Sequence, residues 1–312
     1  MEKIAILYNP SSNRGKSAKK IKKLREFLNN NSVPYSLIVS ESLDDFKKKA
    51  LNLSDDYNYL GIAGGDSSYS IAIDHIIKNQ KEKRVPTFVF FPTGSSNDIT
   101  REFNIYQIED SIKAIKTGNK KKIDLGIVKT DKGEEFFFLG QVNIGLGAEV
   151  NEEVSRLLKT RFPIKNQSVL GFISILKTYK NKKIPLNLEI TNNEIKIKGD
   201  YLIALFSNIK YWATGRILFP DAFPDDGNLH AITIAPISFS RLLKLDRKVK
   251  SGKHLSSEEI NITKGKSFKV QSKNPFKVQI DGEILRANDK KTLFNSIEIM
   301  IREKRISVLV NT

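Results

Sequence analysis

Continuous apolar runs alternate with helix-spaced patterns along the first third of the chain. Residues 3–8 form a strand-like run that ends at Asn9-Pro10. Ala18, Ile21, Leu24, Phe27 and Leu28 then recur three and four residues apart, the spacing of one buried helix face. A strand-like stretch at 35–39 and a helix near 43–51 follow, and next comes Leu60-Gly61-Ile62-Ala63-Gly64-Gly65-Asp66, an apolar run stopped by two glycines and an acid. Ile71, Ala72, Ile73, Ile76 and Ile77 predict a buried helix, and 87–91 predicts another strand, ending at Pro92-Thr93-Gly94-Ser95-Ser96-Asn97-Asp98. Strands so uniformly apolar belong in a parallel sheet covered on both faces. Ligands of such sheets gather at the carboxyl ends of strands, and all three polar turns fall there.

Near Thr117-Gly118 the pattern changes. Strands are predicted at 124–129 and 135–143, joined by the turn Asp131-Lys132-Gly133. More follow at 186–191 and 195–198 around Asn192-Asn193, then at 201–207, 229–234, 268–270 and 276–280. Short strands between turn signals predict an antiparallel, sandwich-like domain, interrupted by helical pieces near 148–159 and 169–179. A last strand pair, 296–301 and 305–310, is expected to turn as a hairpin at Glu303-Lys304. The division expected is an α/β domain over 1–122 and a β-sandwich domain over 123–312, with the last strand a candidate to return to the first domain.

Composition fits two soluble units: 312 residues is long for one core, with 39% hydrophobic and 28% charged residues. No apolar run is long enough to span a bilayer, and the apolar start is too short for a secretion signal. With no Cys there is no disulfide, thiol nucleophile or thiolate metal site, so a cytoplasmic location is the expectation. A net charge of +17, with basic clusters at 16–25, 47–49, 120–122 and 247–253, suits nucleic acid, nucleotides or anionic membranes, and equally a Lys- and Asn-rich surface that is simply solvated. No aromatic-interleaved basic stripe or zinc-finger spacing points to nucleic acid.

The chemistry centres on Gly64-Gly65-Asp66-Ser67-Ser68. Glycines let the backbone approach a phosphate, a helix start favours an anion, and an acid beside them could hold Mg²⁺ or organise a proton transfer. Taken alone, this stretch fits a plain turn as well, as do Asp225-Asp226-Gly227 and Asp281-Gly282-Glu283. Four motifs stand in one order, however: Asn9-Pro10-Ser11-Ser12-Asn13-Arg14-Gly15, the Gly-Gly-Asp turn, Pro92–Asp98 and Asp281-Gly282-Glu283. Between them lie Gln141-Val142-Asn143-Ile144-Gly145-Leu146-Gly147-Ala148, then Gly215-Arg216 and Pro220-Asp221-Ala222-Phe223-Pro224-Asp225-Asp226-Gly227-Asn228-Leu229. This ordered set, over almost the whole chain, resembles the diacylglycerol/lipid kinase catalytic family, whose bacterial members and sphingosine kinases share these landmarks.

The resemblance implies an N-terminal three-layer α/β nucleotide-binding domain akin to NAD kinases and phosphofructokinases, a C-terminal antiparallel β-sandwich, and an active site between them. It implies ATP and Mg²⁺ as cofactors and a lipid hydroxyl as phosphate acceptor, reached by peripheral association with an anionic membrane surface. Asn9, Ser11, Ser12, Arg14, Gly15 and Lys16 look like the first nucleotide-binding turn. Gly64, Gly65 and Asp66, with Ser67 and Ser68, look like the phosphate loop and its acid, and Thr93, Gly94, Asn97 and Asp98 like the nucleotide-site loop before a helix. Asp281 looks like the base for the lipid hydroxyl, with Glu283 a metal-organising acid nearby, and Asp225 and Asp226 look like a secondary Mg²⁺ site. The C-terminal strand pair makes a second copy of the chain a candidate partner.

One departure stands out. The family's central motif is usually Gly-Gly-Asp-Gly-Thr, followed shortly by an acid, where this chain has Ser67, Ser68 and Ile71. A Cβ at 67 is expected to block close approach or to impose a strained φ, and Ile71 removes a carboxylate from the loop's surroundings. The leading expectation is therefore an ATP- and Mg²⁺-dependent lipid kinase. Its rival is a catalytically weakened nucleotide- or lipid-binding relative. NAD kinase shares a Gly-Gly-Asp turn, but the Asn9-Pro10 start and the Asp281-Gly282-Glu283 ending argue against it.

Overall fold

The computed structural model describes residues 2–10, 17–79, 85–159, 167–179 and 184–311. The first part alternates as the apolar periods require: β1 (Ile4–Tyr8), α1 (Ser17–Asn30), β2 (Tyr35–Val39), α2 (Leu43–Asp56), β3 (Tyr59–Gly64), α3 (Asp66–Asn79) and β4 (Thr87–Pro92). A short α4 (Asp98–Arg101) and α5 (Ile108–Thr117) complete it. β1 pairs in parallel with β2 and β3, and β3 with β4. Every residue of β1 and β4 is buried, as a sheet covered on both faces demands. Helix ends are set by local chemistry: Ser42 caps α2 by accepting from Asp45 N at 3.1 Å, and α5 stops at Gly118, whose φ of 69° suits glycine.

Next come β5 (Lys120–Thr130), β6 (Glu135–Phe138), β7 (Gln141–Gly145), α6 (Leu146–Lys159), α7 (Gln167–Tyr179), β8 (Leu186–Thr191), β9 (Lys196–Tyr201) and β10 (Ile203–Ser207). After them run β11 (Tyr211–Trp212), β12 (Arg216–Ile217), β13 (Leu229–Ile234), α8 (Phe239–Lys250) and β14 (Ile260–Gly265). The last strands are β15 (Ser267–Phe276), β16 (Val278–Ile280), β17 (Glu283–Ile284) and β18 (Phe294–Leu309). One antiparallel sheet has the order β14-β13-β10-β7-β16-β17. The other runs β2-β1-β3-β4-β18-β15-β8-β9, with β5 beside β18 and β6 beside β5, so it begins parallel and continues antiparallel. The two sheets close on a core that includes Phe138, Phe206, Phe268, Phe276 and Phe294. The architecture is thus an N-terminal α/β unit on a mixed sheet, followed by an antiparallel β-sandwich. Among the described residues no helix is long and apolar enough to cross a membrane.

Three local expectations are corrected. The single strand expected over 135–143 is two, β6 in the first sheet and β7 in the second, because the backbone N–H groups at the junction turn to a side chain described below. The hairpin expected at Glu303-Lys304 is one strand, β18, paired with β5 from Ile297↔Thr130 to Leu309↔Lys120. The polar run is a bulge between Arg302 and Ile306, where Lys304 has φ 48° and its N–H donates to Asp124 Oδ1 at 2.7 Å. β18 pairs with β5, β15 and β4. Helix α8, unforeseen because its apolar face is narrow, buries only Leu245 and Val249 and carries Arg247, Lys248 and Lys250 in its last turn.

Candidate active site

The apolar runs of β3 and β4 end side by side, and their turns pack backbone on backbone. Neither Gly64, Gly65 nor Gly94 lies in the left-handed region; glycine is required there for space. A Cβ on Gly94 would lie 2.4 Å from Gly65 Cα, and one on Gly64 would lie 2.4 Å from Ser68 Cβ. Gly64 O accepts from Thr93 N at 2.9 Å and from Gly94 N at 2.8 Å. The buried Tyr69 hydroxyl lies 3.0 Å from the same oxygen and 2.9 Å from Phe91 O, fastening the two strand ends together. Behind them α3 starts at Asp66, and the leading N–H groups of any helix lack intrahelical partners. Ser67 lies inside that helix with no left-handed φ, so the expected strain at this position does not arise.

The expected nucleotide residues gather around this pair of turns. Asn9 Nδ2 donates to Ser68 Oγ at 3.1 Å, joining the end of β1 to α3. Asn97, at φ 56°, donates from Nδ2 to Gly94 O at 3.1 Å, while its Oδ1 is buried without a hydrogen-bond partner among the described residues. Lys20, on α1, donates from Nζ to Gly94 O at 3.0 Å and to Pro92 O at 3.3 Å. Ser11, Ser12, Arg14, Gly15 and Lys16 lie outside the described residues.

The acids point inward. Asp66 accepts from the N–H groups of Asp98 at 3.1 Å and Ile99 at 3.0 Å, so it caps the start of α4. Burial, reinforced by the Asp98 carboxylate, pushes its pKa up to about 7; the Asp281 charge adds to the same effect. Asp98 in turn accepts from Ser96 Oγ at 2.7 Å, Thr214 N at 3.1 Å and Gly215 N at 2.6 Å. It thereby ties the first unit to the β11–β12 hairpin, where Ala213, Thr214 and Gly215 all have positive φ, at 44°, 74° and 90°. Trp212 of that hairpin is half-buried against the cluster under α8.

Asp281 completes the join from the other side. The β16–β17 hairpin turns through Asp281 and Gly282, both left-handed at φ 44° and 93°. The Asp281 side chain is buried and reaches the β6–β7 junction, accepting from Leu139 N at 2.8 Å, Gly140 N at 3.0 Å and Gln141 N at 2.6 Å. Ser70 Oγ, from α3, donates to the second carboxylate oxygen. These bonds draw off the N–H groups that a continuous 135–143 strand would have placed in a ladder. Burial raises the Asp281 pKa, against the hydrogen bonds from Ser70 and the three amides that lower it. A Cβ on Gly140 would come within 2.7 Å of Asp281 Oδ1, so glycine is needed for this close approach.

The acids read as metal residues stand at two separate places. Asp225 pairs with Lys121 at 2.8 Å, and Asp226 accepts from His230 Nε2 at 2.9 Å and Asn228 N at 2.8 Å. Glu283 lies elsewhere, in a polar cleft of about 860 Å³ with Glu149, Glu152, Lys277 and Arg286. Among the described residues no three His, Cys, Asp or Glu side chains are placed to hold a metal ion. Beside the two packed glycine turns stand the orphaned Asn97 oxygen, an acceptor, and the Lys20 ammonium, a donor, groups of the two kinds that a nucleotide offers partners for.

Motif reading missed Lys20, Ser70, Asp124 and Gly140. Asp124 is fully buried and accepts from Gly227 N at 2.8 Å and Lys304 N at 2.7 Å; an acid between Ile123 and Leu125 in an apolar strand was its one local signal. Nothing local marks Gly140 or Ser70, whose importance arises only when Asp281 arrives from a distant hairpin.

Comparison with known proteins places this geometry among relatives. Residues 3–128 match the diacylglycerol kinase catalytic domain, and residues 140–295 match the YegS C-terminal NAD kinase beta sandwich-like domain. The chain is 24% identical over 289 residues to a diacylglycerol kinase of Staphylococcus carnosus, covering 89% of this chain and 87% of that protein. It is 25% identical over 273 residues to a diacylglycerol kinase of Mycobacterium tuberculosis, covering 86% and 85%. The crystal structure of a diacylglycerol kinase from Bacillus anthracis superposes with a TM-score of 0.68 at 16% identity, covering 99% of this chain and 97% of that one. That likeness extends the shared fold across both units.

Proposed function

Because the chain belongs to the diacylglycerol kinase catalytic domain family, with a YegS-like C-terminal domain, we propose that it is an ATP-dependent lipid kinase acting at a membrane surface. The observation that carries this reading is that α3 joins the packed Gly65 and Gly94 turns at its start to Asp281, which its Ser70 holds. Phosphoryl transfer asks a protein mainly for positioning and charge neutralisation. The leading N–H groups of α3 would receive nucleotide phosphates, and Asn97 Oδ1, an acceptor, would take a hydroxyl or amino hydrogen of the nucleoside. A lipid hydroxyl would displace Ser70 from Asp281, whose carboxylate would accept the proton. The hydroxyl oxygen forms the new bond to the γ-phosphorus, the bond from that phosphorus to the β,γ-bridging oxygen breaks, and ADP leaves. Burial strengthens Asp281 as a base by raising its pKa. Mg²⁺ would arrive on the nucleotide as part of the substrate.

The test is phosphotransfer from γ-labelled ATP with Mg²⁺ to vesicles containing diacylglycerols, sphingoid bases or phosphatidylglycerol. Labelled lipid is expected; none with any lipid, beside an active relative, would sink the proposal.

One observation favours a second reading, that of a weakened relative that binds without turning over. Asp281 accepts from three backbone amides and from Ser70 Oγ, which engage both carboxylate oxygens, and Ile71 packs against the apolar core where the family carries an acid. Ile71→Glu, alone and with Ser67→Gly, separates the two readings. A gain in phosphotransfer supports the weakened enzyme, and substantial activity unchanged by either substitution removes it.

A further inference from the structure

Lys20 lies on α1 beside the buried Ile21 and is half-buried. Its ammonium reaches Gly94 O and Pro92 O. Among the described residues it makes no ion pair with a carboxylate, and burial accordingly lowers its pKa. Most buried charges are matched by an opposite charge, because carbonyl partners alone leave part of the desolvation cost uncompensated. An ammonium also carries three N–H donors, of which two are used here. The carbonyl nearest to it belongs to Gly94, the residue whose Cα stacks on Gly65. A cation without a counter-ion among the described residues thus stands beside the two packed turns and the start of α3, an end that favours an anion.

We propose that Lys20 is a ligand for the terminal phosphates of the nucleotide, with its third N–H reserved for a phosphate oxygen while the other two hold the Pro92–Gly94 turn in place. This rests on reading the paired turns as a nucleotide site. The division of labour is specific: the charge acts on the β- and γ-phosphates and leaves the nucleoside to other residues. It also makes α1 part of the site through its side-chain face, independently of the turn that precedes it.

The experiment measures ATP, ADP and adenosine binding by calorimetry for the full chain, Lys20→Met and Lys20→Arg, with a melting curve for each. Lys20→Met is expected to weaken ATP binding about tenfold or more, the effect of losing one charge-assisted hydrogen bond, with adenosine unchanged and Lys20→Arg recovering part of the loss. In turnover, KM for ATP rises more than kcat falls. Equal losses for ATP and adenosine, or ATP affinity within twofold of the parent, would overturn the proposal, because a purely structural lysine moves both ligands or neither. Failure of the parent chain to bind ATP overturns it as well. A parent that binds ATP through Lys20 but phosphorylates no lipid supports the phosphate-ligand role and removes the kinase reading alone.

Discussion

Replacing Asp281 by Asn tests the anchoring and chemical roles of this side chain together. The substitution keeps the shape and one oxygen. That oxygen can still accept from Gly140 N and Gln141 N, the partners of Oδ1. The new amide faces Ser70, whose hydroxyl can rotate to accept, and Leu139 N–H, which cannot. One buried backbone donor is left opposed by another donor, at a cost of about 1–3 kcal/mol. Asp281→Ala would orphan all three amides, about 3–9 kcal/mol if the costs add, which approaches the whole stability of a typical domain. Asp281→Asn is therefore the informative variant: folded, with a lowered urea midpoint. If Asp281 takes the lipid hydroxyl's proton, kcat should fall by about 10²–10⁴, with KM for ATP little changed. Full activity in Asp281→Asn would falsify the base assignment. An unchanged urea midpoint would show that the anchor contributes nothing. Ser70→Ala is the companion. Its hydroxyl lowers the Asp281 pKa, so its loss should move the acid limb of the pH–rate profile to higher pH, and a superimposable profile would contradict the contact.

Three further outcomes are expected. Gly94→Ala places a Cβ 2.4 Å from Gly65 Cα and must part the two turns, costing about 1–3 kcal/mol in a melting experiment and weakening ATP binding; unchanged values would mean that the turns are not in contact. Asp66 keeps its proton up to about 7 in the folded chain, against 3.8 ordinarily, so the folded state binds more protons between those values. Its contribution to stability is full below the lower value and is lost as pH rises through the upper one, with a slope of up to about 1.4 kcal/mol per pH unit. Asp66→Asn should flatten that part of the stability–pH curve; parallel curves for the two proteins would refute the shift. Finally, because no described residues form an acid cluster that could hold a cation, EDTA should leave the melting temperature of the nucleotide-free protein unchanged, and a fall of several degrees on chelation would disprove this.

Local pattern carried the reading of the fold furthest where burial dictates composition. β1, β3 and β4 are legible because a strand covered on both faces must be apolar throughout, and α1 and α3 because their buried faces repeat at helical spacing. It misled where a distant group decides. Residues 302–305 have the composition of a turn, but pairing with β5 along the rest of β18 makes them a bulge. The break at Leu139-Gly140 depends on a carboxylate that belongs to a hairpin far along the chain. Within the site, the glycines of the two turns were visible, but their purpose was mutual contact between turns, which requires the second turn to be in place. Ser67 looked strained in a motif and is at ease in a helix. Lys20 had no motif to belong to, since only its side-chain reach brings it to Gly94.

The position of β18 has a consequence for the order of events during synthesis. The edge of β4 is filled in parallel by Ser307 and Val308, residues translated after the entire sandwich. On the ribosome, the first unit therefore waits with β4 uncovered while everything up to residue 306 emerges, and an open, apolar strand edge is a template for wrong partners. A polypeptide released before β18 would lose the strand that joins β4, β5 and β15. Premature termination at a late codon should thus act as a quality signal, giving chains that chaperones and proteases recognise at the nucleotide-side sheet.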